Sequence, residues 1–279
     1  MSIGVLPHLA FLAMGIDLMK MQITEVLLAS NKRKNVLLLL QEGPQEMKTL
    51  LESLDTTRSA LLPQIKILKQ NSLISKSRDT YELTTIGKLI VEEMVSFLTT
   101  ADMFGGNCEY FGTHFIDFIP PLLLKKLPGV GICKVTNISA EDFYDVDKEF
   151  YGKALESHEW LEITSTLHPA FHNFYVQMTD YVTEVSVIMT QEVYKKAKQE
   201  YYDDFKELID LNLISLYLYP ENPGFISFTV AGQSIKFRLF TLEDVHDNKN
   251  ISFSGPAALE WGKELFEYYK RHSVPIIEI

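Results

Sequence analysis

Cysteine is nearly absent from this chain, with two in 279 residues, which excludes a disulfide-stapled secreted fold. Cys108 and Cys133 are expected to be two buried free thiols; a single bridge or a redox response is the open alternative. No apolar run reaches the roughly 20 residues that a membrane-spanning helix needs. The nearest candidate, Ile3–Ile16, is interrupted by Pro7 and His8, ends before Asp17 and lacks the basic n-region of a secretory signal. It is expected to form an extra amphipathic helix on the domain or on a dimer partner, or else translation starts at Met19 or Met21. The chain is therefore expected to be soluble and cytoplasmic. At 46% apolar residues it has ample material for cores and little scope for domain-sized disorder.

Positive charge is also scarce: the formal net charge is −11. Its distribution matters more than its sum. Residues 1–104 hold 11 Lys/Arg against 11 Asp/Glu, whereas residues 105–279 hold 15 against 26. The excess negative charge sits entirely in the second part. A neutral first part with clustered Lys and Arg can still bind phosphates, because the field at the contact surface decides.

In the first part, Gln22–Leu40 predicts a helix, with Ile23, Val26, Leu27, Val36, Leu37 and Leu40 on one stripe and a possible fresh turn at Ser30–Lys34. Gly43-Pro44 stops it. Gln45–Ser53 predicts a second helix, Asp55-Thr56-Thr57 a polar turn, and a third helix runs to about Gln70 with Leu61, Ile65 and Leu68 inward. Pro63 either bends that helix or places its start late, near Ser59. Ile74-Ser75-Lys76 and Tyr81-Glu82-Leu83 predict a two-stranded ribbon, and Lys88–Phe104 a packing or dimerisation helix. Helix, helix, turn, helix, ribbon, helix is the order of a winged helix-turn-helix. The expected DNA-binding residues are Thr57, Arg58, Ser59, Gln64, Lys66 and Lys69 on the third helix, with Lys76 and Arg78 on the wing. Arg and Gln can read base edges bidentately, while Lys and Ser take phosphates.

Beyond Gly105-Gly106-Asn107, apolar runs alternate with helical stretches, the pattern of an α/β domain. Strands are expected at 131–135, 161–165, 184–189, 214–219, 225–230, 235–240 and 251–253, and helices at 114–126, 141–155, 169–181, 191–209 and 256–271. The expected fold class is thus α+β with two domains. Residues 1–20 form an extension, 21–104 a winged-helix DNA-binding domain, and 105–279 an α/β sensor or oligomerisation domain.

Residues Ile23–Thr100, and above all Thr57-Arg58-Ser59-Ala60-Leu61-Leu62-Pro63-Gln64-Ile65-Lys66-Ile67-Leu68 followed by Leu73-Ile74, resemble the winged helix of archaeal regulators of the methanogenesis-regulator type. The resemblance continues through Leu167–Phe171 and Glu184–Thr190 to Trp261-Gly262-Lys263-Glu264-Leu265-Phe266-Glu267-Tyr268-Tyr269, and departs at Glu243–Lys249. It implies binding of double-stranded DNA, as a homodimer on paired half-sites. An internal proline in the third helix is usual in that family.

Several chemistries are weighed and set aside. The strand and helix order of the second part also resembles half a phospholipase D fold, whose chemistry needs His-x-Lys; none of the seven histidines has Lys two positions on, and His246-Asp247-Asn248-Lys249 has the wrong spacing. His168 and His172 stand four apart, as two metal ligands would, with no evident third. Gly129-Val130-Gly131 lacks the third glycine of a phosphate loop. No catalytic residue, metal or cofactor is expected. The aromatics Tyr201, Tyr202, Phe205, Trp261, Phe266, Tyr268 and Tyr269 read as core, or alternatively as the lining of a ligand pocket. The leading reading is a DNA-binding transcriptional regulator whose effector is unknown. The alternative is a small-molecule-binding or enzymatic α/β protein whose helical part serves assembly.

Overall fold

Two units are resolved by the computed structural model, one ending at Leu98 and one beginning at Thr99. It describes residues 22–138, 148–168 and 170–279. The expectations for residues 1–20 and for the start of the 141–155 helix lie outside the described residues.

In the first unit, α1 (Ile23–Leu28) and α2 (Asn31–Gln41) are separate helices. Ser30 breaks the expected single helix: its backbone is extended, and its hydroxyl accepts from Arg33 N–H as an N-cap. Gln45-Glu46 is a strand, β1, rather than the first turn of a helix, because it pairs with Tyr81 and Thr80. Then come α3 (Met47–Ser53), α4 (Arg58–Gln70), β2 (Ile74–Ser77), β3 (Thr80–Leu83) and α5 (Thr85–Gly105). The hairpin turns at Arg78-Asp79, with Arg78 at φ +56°. Thr84 joins ribbon to helix, its hydroxyl donating to Ser72 C=O at 2.6 Å and accepting from Gly87 N–H at 2.9 Å. Val26, Val36, Leu37, Leu50, Leu61, Leu68, Leu73 and Val91, all fully buried, form the core beneath α4.

The second unit is built on one eight-stranded mixed sheet, in the order β11-β7-β6-β5-β8-β9-β10-β4. Its strands are β4 (Ile132–Asn137), β5 (Glu159–Thr164), β6 (Glu184–Thr190), β7 (Ser215–Tyr219), β8 (Phe225–Ala231), β9 (Ser234–Leu239), β10 (Lys249–Ser254) and β11 (Val274–Pro275). Only β5, β6 and β7 run parallel to one another. The helices are α6 (Cys108–Phe111), α7 (Pro121–Lys126), α8 (Lys148–Ser157), α9 (Phe171–Thr179), α10 (Gln191–Glu200), α11 (Tyr202–Asp210) and α12 (Pro256–Arg271). The helix expected over 191–209 is two helices, broken where Tyr201 leaves helical geometry at φ −136°.

The expected helix over 114–126 exists only from Pro121 on. His114 instead forms a bridge with Thr241 and stacks on the Tyr110 ring at 3.8 Å. Its Nε2 stands 3.2 Å from Asp247 Oδ2, off the line of a hydrogen bond. Pro120 and Pro121 account for the late helix start, since proline suits a first turn and breaks an interior.

The sheet divides two cores. On one face Ile163, Phe228, Phe237 and Phe253 pack with Trp261, Leu265 and Tyr269 of α12. On the other, Trp160, Val185, Val187 and Met189 pack with Phe171, Tyr175, Val193 and Phe205 from α9, α10 and α11.

Candidate functional site

α4 is continuous through Pro63, which lies inside it at the sixth helical position. At about 100° per residue, Arg58, Ser59, Leu62, Lys66, Lys69 and Gln70 fall within an arc of roughly 120°, and all six are exposed. Leu61, Ile65 and Leu68 face the core. Thr57 is the N-cap residue but makes no capping bond; its hydroxyl lies 3.1 Å from that of Ser59. Among the described residues, no ion pair is made by Arg58, Lys66 or Lys69. Lys76 and Arg78 are exposed on the hairpin, Lys76 within 3.6 Å of Asp79 and 5.5 Å over the Tyr81 ring. α4 thus presents all three of its basic side chains and flanking polar groups on one open face, a surface suited to phosphate oxygens and base edges.

Gln64 does not share that face. It is half-buried, and its side-chain oxygen accepts from Arg33 Nη1 at 2.8 Å. Arg33 is itself buried, and its Nε and Nη2 donate to the carbonyls of Val26 and Glu25 at 2.6 and 3.1 Å. Those carbonyls lie in the last turn of α1, where that of Glu25 also accepts from Ala29 N–H at 3.1 Å. Gln70, exposed on the arc, was missed by sequence reasoning because the helix end was placed there.

The second unit holds a cavity of about 740 Å³ between the sheet and α9, α10 and α11. Of the aromatics considered as pocket lining, only Phe205 borders it. Trp261, Phe266 and Tyr269 belong to the opposite core, and Trp261 Nε1 donates to Leu123 C=O at 2.9 Å. On the cavity's floor Glu162 Oε2 accepts from both Trp160 Nε1 and Tyr175 OH, each at 2.9 Å. Burial, and then the Glu162 carboxylate, push the Tyr175 phenol well above its usual range, so it stays a donor. His246 lies at the rim, its pKa lowered by burial and by Arg238.

His168 and His172 do not converge as metal ligands. His168 precedes α9 and accepts from Ala170 N–H at 3.1 Å, while His172 Nε2 stands 3.2 Å from Glu207 Oε2. Among the described residues there is no group of three His, Cys, Asp or Glu that could hold a metal, and no helix long and apolar enough to cross a membrane. The cysteines are free but not buried as expected: Cys108 is exposed and Cys133 half-buried.

Residues 143–272 match the family described as the middle domain of methanogenesis regulatory protein FilR1, and residues 21–103 match the HVO_A0261 N-terminal domain. The methanogenesis regulatory protein FilR1 of Methanothrix harundinacea (strain 6Ac) is 23% identical over 264 residues, covering 89% of this chain and 57% of its own length. The chain therefore spans little more than half of that relative. Among solved structures, the archaeal chromatin protein TrmBL2 is similar over 92% of this chain and 100% of its own, at 10% identity and a TM-score of 0.38. Quinone-bound YodB from B. subtilis covers 30% of this chain and 98% of its own, at 24% identity and a TM-score of 0.28. Likeness at those scores is too loose to fix a shared fold. In its two family matches and in the relative that spans them, the chain is similar to archaeal regulators of the methanogenesis-regulator type.

Proposed function

We propose that this protein is a transcriptional regulator whose first unit is a winged helix binding double-stranded DNA through α4 and the β2–β3 wing. The observation that carries the reading is the open arc of Arg58, Ser59, Lys66 and Lys69 on α4, backed by a packed core and followed by a hairpin bearing Lys76 and Arg78. The regulator family and the relative's description as a regulatory protein agree with it. Arg58 and Ser59 enter the major groove, Lys66 and Lys69 hold phosphates, and Lys76 and Arg78 reach the backbone beside the wing. Gln64 sets the angle between α2 and α4 in this reading, since its oxygen is committed to Arg33.

Dimerisation is assigned to α5. Ile86, Leu89 and Phe97 are 54, 62 and 57% exposed, on a stripe beside the buried Val91 and Met94. A second copy offering the same stripe would cover them and set two α4 helices on paired half-sites. The second unit is the effector-binding part, and its cavity is where the effector sits.

The test is a gel-shift titration with a fragment of the protein's own promoter. Arg58→Ala is expected to weaken binding by ~1–3 kcal/mol, and Lys66→Ala to reduce the salt slope by about one. No loss in the double variant sinks the placement of α4. Affinity that ignores salt instead favours the alternative, a ligand-binding α/β protein whose first unit serves assembly.

A further inference from the structure

We propose that Leu62 gives α4 a preference for thymine, its isobutyl group meeting the 5-methyl group of a thymine in the major groove. The proposal rests on the DNA-binding reading above and adds to it a base that the helix selects.

A helix packed on one side turns its apolar residues inward and its polar ones outward. α4 follows this rule with one exception. Of its five leucines and isoleucines, Leu61, Ile65 and Leu68 are buried in the core and Ile67 packs against the edge of it. Leu62 does neither: it is 41% exposed and lies outside that cluster. A single exposed leucine is ordinary on a protein surface, and what distinguishes this one is its surroundings. Arg58 stands four residues before it and Lys66 four residues after it. The three therefore form one row along the helix, with a step of about 6 Å. Lys69 projects at roughly 20° from Leu62 about the helix axis. Arg58, Lys66 and Lys69 are all exposed, and Leu62 is the one apolar side chain on the arc that they share with Ser59 and Gln70.

The charges bring that row to DNA, and the chemistry of leucine decides what it can meet there. In the major groove guanine offers acceptors, cytosine a donor and adenine one of each; thymine alone adds a methyl group to its acceptor. Leucine has no donor or acceptor. Against guanine, cytosine or adenine it would strip water from a polar edge and put no bond in its place. Against the thymine methyl it buries apolar surface on both partners. That methyl projects toward the backbone of its own strand. Lys66, one turn further along α4, holds a phosphate in the reading above, so the row runs from base edge to backbone as the methyl does.

The test begins with the full chain and a random-sequence duplex pool, from which the preferred duplex is selected and sequenced. That duplex is resynthesised with deoxyuridine for thymine, one position at a time, which removes the methyl group and keeps every hydrogen-bonding group. At least one position is expected to lose about fourfold in affinity by fluorescence anisotropy, the worth of one buried methyl group. Leu62→Ala is expected to bind the thymine duplex at least that much more weakly and to make no distinction between the two bases there. Leu62→Met should keep the distinction. A duplex insensitive to deoxyuridine at every position overturns the thymine preference and leaves DNA binding in place. Sensitivity that persists in Leu62→Ala overturns the assignment to Leu62. Enrichment of no duplex at all overturns the DNA-binding reading and this proposal with it. The deoxyuridine scan uses the unaltered chain, so it can sink the proposal even where Leu62→Ala fails to fold.

Discussion

Arg33 Nη1 lies 2.8 Å from the Gln64 side-chain oxygen, joining α2 to α4 inside the first unit. The same guanidinium holds the last carbonyls of α1, so one buried side chain ties three helices. Arg33→Met removes charge-assisted bonds and leaves three acceptors without that donor. It is expected to lower stability by about 3 kcal/mol, measured by denaturant unfolding. Gln64→Ala is expected to cost on the order of 1–3 kcal/mol in the same assay, because the buried guanidinium loses a partner. Its effect on DNA affinity, measured where the variant is fully folded, should be small beside that of Arg58→Ala. A selective loss of one base preference in Gln64→Ala would return Gln64 to the groove.

The two thiols differ in reactivity. Burial pushes the Cys133 thiol up to about 11, so little of it is thiolate near neutrality, and Asn107 Nδ2 lies 3.5 Å from its sulfur. Cys108 is exposed. Iodoacetamide is expected to label Cys108 first, read by mass spectrometry. The rate at Cys133 should go on rising with pH beyond the range where an ordinary thiol levels off, roughly 8.5. Equal rates at the two sites would contradict the buried placement of Cys133.

His246 gives stability a dependence on pH. Burial, then the Arg238 charge, lower its folded-state pKa below the ordinary 6.5, against a smaller opposing effect of Asp247. The unfolded chain therefore binds this proton more readily than the folded one. Stability linked to His246 is fully present above the unfolded value and is lost as pH falls through the folded one. Thermal unfolding followed from about pH 7 to about pH 5 should show a decline that His246→Gln makes shallower. An unchanged slope in the variant assigns the decline to other groups.

The sequence made the helices and strands with strong local signals legible. Pro256 and Arg271 bound α12 as expected, and the two-residue turn at Gly232-Gln233 follows from a glycine able to take φ +55°. What stayed hidden depends on contacts distant in sequence. Gln45-Glu46 is a strand only because Thr80 and Tyr81 pair with it. Gln64 reads as a groove residue until Arg33, 31 positions earlier, is seen to hold it. The cavity floor was equally hidden: Glu162, Thr229 and Lys236 lie on three strands and meet only through sheet register.

The Trp261-Gly262 pair shows why a short pattern can mark a close approach rather than a ligand site. At Gly262 α12 lies close against the sheet: a Cβ there would collide with Ile235 Cγ2 and lie 3.1 Å from Val230 Cγ2. Both neighbours are fully buried β-branched side chains, stiff at χ1 and enclosed by the core. Neither can swing aside, so Gly262→Ala must lift the helix or distort the strands. The helix is also pinned by Trp261 Nε1 on Leu123 C=O and by Tyr269 OH on Pro223 C=O at 3.2 Å, which resists that lift. Alanine's gain in helix propensity is about 1 kcal/mol, smaller than an overpacking cost of roughly 1–3 kcal/mol. Net destabilisation is expected, read as a lower thermal midpoint, and Gly262→Ala combined with Ile235→Val should recover part of it. A variant as stable as the parent would show that α12 does not approach the sheet this closely.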